Sequence, residues 1–581
     1  MSHSCDSRSR LRLGWPALIA LAIPVSLSYH LLPSTRMLNQ CLAIAGWGLW
    51  LALVPLGRLQ LRDIGLLVAA AAGVLGGIAG AGLTHRLPSS LALSSAGLLS
   101  VAVLALMAGA AAARHAAHTQ VIAALCWGLL IAGLLNAAVG TVQVVMPTWP
   151  DEPWLPRSNA TGRATGIIVQ ANHLATLLLW AMVAAFHLHR TRQLLTVGLM
   201  VVLVALGTAL ALTGSRTGLV GMGVVIAAVI LDRGQSAATK RCIVVVLAAY
   251  LAAAMVAHWA GQGSAHPGTT DALGRWMTQA HGQPSRNSRL VIWQNAWVLL
   301  QTQPWTGVGF GSFNLAWTLT PMSPRPSALF AHAHNLPLHL LVELGVPLGG
   351  LVVTLIATAA VRLLRNAIGP TQPGAAEQRT AALLVVLALF HSLVEFPLWY
   401  AYFLLPTAFA WGYGLASASA ARTPNHLAQR AGRLQIFGQR AAAVLTMAAG
   451  LLAWTSYFDC LHRPVASSSS PGTPHTTSLR PSDSLLHAHL LDHRAAHEVP
   501  EAPAAVLQSA LYHLADLQLL RRWAEHLDRQ QMAAQAHQVR ARLHEFSGSV
   551  EPAQGSPESG LQAHDWRRLL RSQPHPDSGQ P

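Results

Sequence analysis

From Gly14 to Tyr457 long apolar runs alternate with short polar joints. Each run approaches the twenty or so residues that a helix needs to cross a bilayer. They read as spans at roughly 14–32, 38–57, 64–84, 91–113, 121–146, 167–188, 194–213, 217–231, 241–259, 335–361, 380–397, 399–417 and 441–458. The pattern predicts an all-α, polytopic transmembrane protein of about thirteen spans. Two joints are too long to be simple connections. Met146 to Thr165 is rich in Pro and Trp, as suits a membrane interface, and Ala260 to Ala333 has the length of a loop that carries function. Within the second, SRLVIWQNAWVLL has apolar residues at helical spacing, and a helix lying at the membrane surface is expected there.

After Tyr457 the pattern changes. SSSSPGTPHTTSLRPSDS reads as a flexible linker. Residues 503–546 read as helix, with Leu507, Leu511, Leu514, Leu517 and Leu520 along one face. The last thirty or so residues, rich in Pro, Ser and Gly, are expected to be disordered.

Composition narrows the class. Charged residues make up 10% of the chain and hydrophobic ones 52%, whereas soluble domains carry about 25% charge. So few charges cannot cover a water-soluble surface of this size. The net charge of +16 would suggest nucleic acid in a soluble protein. Here the basic residues stand in short loops, so topology explains them and no nucleic-acid partner is expected. Arg8, Arg10 and Arg12 precede the first span. Arg58, Arg62, Arg114, Arg190, Arg192, Arg233, Lys240, Arg241, Arg362, Arg365, Arg422, Arg430, Arg433 and Arg440 fall in alternate loops, and the intervening short loops hold mainly Arg36, Arg86, Arg157 and Arg163. The positive-inside rule then puts the N-terminus in the cytoplasm and the C-terminus outside. Residues 1–458 form the membrane core, with 260–334 as an outward loop, and residues 459–581 an exported linker, helical segment and tail. The first run resembles a signal peptide but lacks a small-residue cleavage site, and an uncleaved first helix is expected. Five scattered cysteines with no CxxC pair argue against a metal cluster or a disulfide framework.

Ionisable groups inside spans or at their outer ends are the default candidates for chemistry. On this topology they gather on one side. Gln170, Asn172 and His173 open the sixth span, and Arg216 lies in TGSRTG. Arg289 begins the amphipathic segment, His332 and His334 precede the tenth span, and His391 and Glu395 end the eleventh in HSLVEFPLWYAY. Each has a plainer reading. Arg216 could be an ordinary loop arginine, the histidines satisfied hydrogen-bonding groups, and Glu343 and Glu395 braces between helices, which is the role favoured for those two. His391 and Glu395 stand four apart on one helical face, a spacing compatible with metal ligation. No third ligand or HExxH accompanies them, so no metal is expected. GVGFGSF lacks the lysine of a phosphate-binding loop and reads as a turn.

Four stretches carry a resemblance. SRLVIWQNAWVLLQTQPWTGVGFGSF followed by AHAHNLPLHLLVELGVPLGG resembles the signature region of the O-antigen ligase and polymerase superfamily, a histidine followed by Asn or Ser and then an apolar stretch with Glu-x-Gly. TGSRTG resembles that superfamily's arginine turn. GRATGIIVQANHLATLLLW and FHSLVEFPLWYAYFLLPTAFAWGY resemble its protein O-oligosaccharyltransferase (pilin glycosylation ligase) branch. The likeness covers roughly Trp149 to Tyr413, while the first five spans match only in character.

The resemblance implies an enzyme of the bacterial inner membrane with its active site facing the periplasm. Its donor would be an oligosaccharide on undecaprenyl diphosphate, its acceptor a pilin-like protein hydroxyl, and no cofactor or metal is implied. Arg216 and Arg289 match the phosphate-binding arginines and His334 the essential histidine, which takes the acceptor proton or contacts phosphate. Gln170, Tyr400 and Tyr402 match positions tied to activity. His173, His332 and His391 are further substrate-site candidates. Glu343, about two and a half turns below His334, is expected to hold its helix. Rival readings are an O-antigen ligase acting on lipid A core, an O-antigen polymerase and, more distantly, a transporter, whose signs are repeated halves and ionisable groups at mid-membrane.

Overall fold

The computed structural model describes residues 13–27, 34–84, 87–149, 155–160, 162–262, 288–322, 325–368, 374–416, 426–462, 485–499, 501–547 and 566–570. Among them the regular structure is helical, and every segment expected to span coincides with a helix. After a helical entry at 13–26 come α1 (Met37–Leu53), α2 (Leu61–Thr84), α3 (Ser89–Ala112), α4 (His118–Val145), α5 (Ala171–Arg190), α6 (Thr196–Leu212), α7 (Arg216–Leu231) and α8 (Ala237–Gln262). The long loop contributes α9 (Arg289–Thr302) and α10 (Phe313–Leu319), and the core closes with α11 (Leu336–Ile368), α12 (Ala375–Ser392), α13 (Ala401–Leu415) and α14 (His426–His462). Among the described residues seven helices are long and apolar enough to cross a bilayer, and α1, α6 and α7 are shorter apolar helices. The chain is a polytopic all-α membrane protein. The linker 467–484, the loop 263–287 and Arg8, Arg10, Arg12, Arg86 and Arg422 lie outside the described residues.

Small residues let the helices meet. A Cβ on Gly109 of α3 would stand 2.0 Å from the Phe409 carbonyl oxygen, and one on Gly412 of α13 would stand 1.9 Å from that of Leu106. The two backbones therefore touch, the contact that substitutes for hydrophobic drive within lipid. At one end of the bundle the loop arginines are gathered by two acids. Asp63 pairs with Arg114 and Arg362, and Asp232 pairs with Arg190 and Arg379.

The Glu343 helix is broken. Gly345 has φ +75° and ψ 168°, and Pro347 follows. Pro347 has no N–H to give Glu343, and the Val346 N–H turns to the Pro304 carbonyl at 2.7 Å. The stretch read as a simple turn repairs the damage. The Val308 and Gly309 N–H groups donate to the orphaned carbonyls of Val342 (2.8 Å) and Glu343 (3.0 Å), as an unsatisfied backbone group in a dry interior demands. A Cβ on Gly307, whose φ is +68°, would lie 2.4 Å from the Glu343 carbonyl oxygen, so the approach requires glycine.

Two expectations about the tail are corrected. The leucine face of residues 503–546 does not run through one helix. Asp516 restarts the chain by accepting from the Gln518 and Leu519 N–H groups, separating α16 (Ala504–His513) from α17 (Leu517–Arg529). The restart turns Leu517 outward and buries Leu507, Leu511, Leu519, Leu520, Trp523 and Leu527. With α15 (Ala488–Glu498) and α18 (Ala533–Ser547), these helices share one core with Ile292, Leu299, Phe313, Trp317 and Val342. Within the terminal region expected to be disordered, Trp566–Leu570 forms a 3-10 helix, with Trp566 and Leu569 buried in that core and the Leu569 carbonyl accepting from the Trp523 indole at 2.7 Å.

Candidate active site

The end of the bundle opposite Asp63 and Asp232 collects the first turns of α5, α7, α9, α11 and α13, together with the chain that leaves α12. His391 and Glu395 take different partners. Helix α12 ends at Ser392, though the Glu395 N–H still donates to the His391 carbonyl at 2.9 Å. The His391 Nδ1 meets the Thr176 hydroxyl at 2.7 Å, while Glu395 turns to other partners.

Glu395 is a hub. Its Oε1 accepts from the Asn172 amide at 2.8 Å and from the Arg289 guanidinium, and its Oε2 meets the His334 Nδ1 at 2.7 Å. Arg289 also donates from Nε to the Val394 carbonyl at 3.0 Å. Two of its five N–H donors are thus committed, and its side chain remains 34% exposed. Asn172 accepts in turn from the Ser215 hydroxyl at 2.8 Å, and Ser215 caps α7 by accepting from the Gly218 N–H at 3.1 Å. Arg216, the first residue of α7, is exposed beside that cap. Residues from α5, α7, α9, the entry to α11 and the exit of α12 are thereby joined in one polar network.

Protonation follows from these contacts. Burial alone would raise the pKa of Glu395, but the His334 hydrogen bond and the Arg289 charge hold it well below the usual carboxylate range. A charged carboxylate only accepts, so the His334 Nδ1 carries the proton and its Nε2 is left with a lone pair. Burial lowers the His334 pKa, outweighing the raising effect of Glu395, so the imidazole is neutral at pH 7.

The backbone is strained at this point. His334 has φ +51° and Val169, before the Gln170 cap, has φ +52°, conformations that cost about 1–3 kcal/mol each and need a surrounding that imposes them. For His334 the next residue supplies it. The Asn335 Oδ1 caps α11 by accepting from the Leu338 N–H at 3.0 Å, and its Nδ2 donates to the Leu393 carbonyl at 3.1 Å. The His334 ring rests on Phe396, with centroids 4.8 Å apart.

The remaining candidates surround this network. Gln170 caps α5, its Oε1 accepting from the His173 N–H at 2.6 Å. His173 is buried against His391 (5.3 Å) and Tyr400 (5.1 Å), and Tyr400 stacks on Tyr402 at 5.3 Å. The Nε2 atoms of His173 and His391 and the Tyr402 hydroxyl have no hydrogen-bond partner among the described residues. His332 packs on Phe396 and Trp399 at 4.5 and 4.7 Å, where burial pushes its pKa well down, with His339 and His334 adding to the effect. Glu343 stands apart at the α11 break. Its Oε1 accepts from the Phe313 N–H at 3.2 Å and its Oε2 lies 3.6 Å from the His339 Nε2, the contacts of a brace.

Two members of the network carry little signal in the sequence. Asn172 reads only as a polar group, and Ser215 has the single signal of preceding an arginine at a helix start.

A cavity of about 880 Å³ opens at the far, arginine-bearing end between α5, α7, α11 and α12. Arg190 and Arg379 on its wall both bond Asp232, and it does not touch the His334 network. Beside the network lies a smaller groove of about 340 Å³ between α11 and α12, starting at Leu336 and Leu393 and lined almost wholly by apolar side chains.

Residues 201–353 match the O-antigen ligase family model, and residues 380–547 match the C-terminal model of the virulence factor membrane-bound polymerases. The first match covers TGSRTG, Arg289 and His334; the second covers His391, Glu395, Tyr400 and most of the tail helices. The chain is also similar to a general O-oligosaccharyltransferase of Acinetobacter baylyi, with 37% identity over 126 residues. That stretch is 22% of this chain and spans about a fifth (21%) of the length of the relative.

Proposed function

We propose a reaction from one premise: the chain belongs to the O-antigen ligase superfamily. It transfers a preassembled oligosaccharide from undecaprenyl diphosphate to serine or threonine hydroxyls of periplasmic proteins, pilin-like acceptors among them. The observation that carries this reading is the Arg289–Glu395–His334 network. The acceptor hydroxyl attacks the anomeric carbon and its proton passes to the His334 Nε2. The bond between that carbon and the phosphate oxygen breaks, and the diphosphate leaves with the electron pair. Glu395 keeps the imidazole in the accepting tautomer and stabilises the imidazolium that forms. Arg289 and Arg216 supply fixed, always charged donors to the developing negative charge. The first turns of α5, α7, α9 and α11 add their positive dipole ends. The apolar groove from Leu336 and Leu393 suits the polyprenyl chain next to its headgroup. The chemistry of the step requires no metal, because the diphosphate is already an activated leaving group.

With the network outside, the basic loops that converge on Asp63 and Asp232 face the cytoplasm and the tail is periplasmic, in the inner membrane of a bacterium. A second reading, favoured by the match over residues 201–353, takes lipid A core as acceptor. The test expresses the protein in cells that supply a lipid-linked glycan but lack their own O-antigen ligase. Glycan on a co-expressed pilin with lipid A core bare supports protein transfer. Glycan on lipid A core alone makes the chain an O-antigen ligase, and lengthened glycan on the carrier makes it a polymerase.

A further inference from the structure

The tail contains a cluster that the transfer reaction does not use. His493 and His497 stand four apart on α15, so both rings project from one face of the helix. Asp516, the residue that restarts the chain at α17, lies against them. Its Oδ2 lies 3.0 Å from the His497 Nε2 and 3.4 Å from the His493 Nε2, and one ligand atom from each of the three residues falls within 4.8 Å of the others. Its other oxygen is occupied in capping α17, accepting from the Gln518 and Leu519 N–H groups at 2.9 Å.

Hydrogen bonding alone accounts poorly for this arrangement. The His497 Nδ1 meets the His493 carbonyl oxygen at 2.8 Å. A carbonyl only accepts, so that nitrogen carries the proton. In the neutral ring the Nε2 then has a lone pair and lies 3.0 Å from the Asp516 Oδ2, a contact between two acceptors that a second ring proton or a metal cation would relieve. The His493 Nε2 is a buried atom with no hydrogen-bond partner among the described residues, although it lies 3.4 Å from the Asp516 Oδ2.

The two histidine–aspartate distances fit a metal ion. Bonds of about 2.0–2.1 Å at the tetrahedral angle put neighbouring ligand atoms roughly 3.3 Å apart, and the two measured separations bracket that value. A hydrogen bond from Nδ1 to a backbone carbonyl is also the usual way of orienting a metal-binding imidazole. The His513 ring, at the end of α16, lies 4.8 Å from that of His493, and the C-terminal end of α15 presents the negative pole of its dipole to a cation. His493, His497 and Asp516 are partly exposed, so an ion can enter from solvent.

We propose that His493, His497 and Asp516 bind a divalent transition metal of the zinc class, clamping α15 to the α16–α17 junction. The donor set of two imidazoles and one carboxylate, with a position left for water or for His513, suits zinc among metals of that class. The clamp fixes the tail helices that share their core with α9 and α10. Its role is architectural, and it stands whether or not the transfer reaction is as proposed.

The test uses full-length, untagged protein in detergent, stripped with chelator, returned to chelator-free buffer and titrated with zinc by calorimetry and with cobalt by absorption. One equivalent of zinc should bind, and cobalt should show the intense visible bands of a four- or five-coordinate site. Asp516→Asn keeps an acceptor for the α17 cap and should weaken binding at least about tenfold. The His493→Ala/His497→Ala pair should abolish it. With 28 histidines in the chain, the variants decide the location. Failure of the wild type to take up an equivalent would overturn the proposal, and so would uptake unchanged in both variants. Should the double variant lose its helicity or its elution position, the capped Asp516→Asn protein alone decides.

Discussion

Replacing Glu395 by Gln tests the heart of the proposed chemistry without changing the shape of the side chain. One carboxylate oxygen receives Asn172 and Arg289, and the other receives His334. Gln has one accepting oxygen and one donating NH₂. The oxygen will stay with the two donors that include the guanidinium, which leaves the NH₂ facing the His334 Nδ1. That nitrogen must then become the acceptor, and the proton moves to Nε2, where it blocks the base. Charge is lost as well. An imidazolium and a carboxylate with charge centres about 4 Å apart attract by about 4 kcal/mol at an effective dielectric constant of 20. An amide dipole returns part of that, so a loss of about 2–4 kcal/mol, roughly 30- to 1,000-fold in rate, is expected before the tautomer effect. The assay is single-turnover transfer from lipid-linked glycan to an acceptor peptide by purified protein, with elution profile and helicity as folding controls. A folded Glu395→Gln protein keeping a third of the wild-type rate would refute the base and its orienting carboxylate together.

Four further outcomes follow from the same geometry. His334→Ala should abolish transfer at unchanged protein level, read by acceptor glycosylation in cells and by immunoblot. Arg289→Lys should lose roughly 10²-fold or more in transfer rate, because a lysine cannot hold Glu395, the Val394 carbonyl and a phosphate with one planar fork; Arg216→Lys should be milder, since Arg216 is exposed beside the Ser215 cap. The rate measured against pH should rise through an apparent pKa below the ordinary histidine value and stay level above it. Burial favours the neutral His334, so protonation, and with it loss of the base, comes only as pH falls through that lowered value. Alkaline phosphatase fused after Tyr457 should be active and a fusion near Arg430 inactive, and the reverse would place the tail in the cytoplasm.

The spans were legible because lipid imposes a length and a composition that no soluble helix needs. The gathering of Gln170, Arg216, Arg289, His334 and Glu395 at one end was legible too, since alternation of basic loops assigns each helix end to a side. What the chain could not disclose was pairing. Glu395 reads as a brace, and it is one, but what it braces is His334 and Arg289, from elements 61 and 106 positions away. Asn172 and Ser215 carry no signal beyond polarity at a helix start, and their part depends on a 2.8 Å hydrogen bond between the starts of two helices. The four-residue spacing of His493 and His497 raised no metal expectation, and their third partner, Asp516, comes from beyond an intervening helix. The leucine stripe of the tail misled because 3.6-residue periodicity continues through Asp516 in sequence while the backbone there turns to cap a new helix.

The break in α11 and the docking of the tail solve one problem. A histidine held at φ +51° at the head of a helix needs a rigid surround, and a helix interrupted at Gly345 does not provide one alone. The segment from Pro304 to Gly309 ties the break shut through three backbone hydrogen bonds. Glu343 caps α10 at the Phe313 N–H, and the Asn314 amide on α10 donates to the Leu511 carbonyl of the tail at 2.9 Å. Arg567 reaches from the far end of the chain to the Val308 carbonyl at 2.9 Å. The tail helices thus bear on the same loop that repairs α11, and α11 carries His334 at its entry. An acid low in the helix and an imidazole at its mouth are therefore two parts of one support, with Glu343 fixing the frame and Glu395 setting the proton.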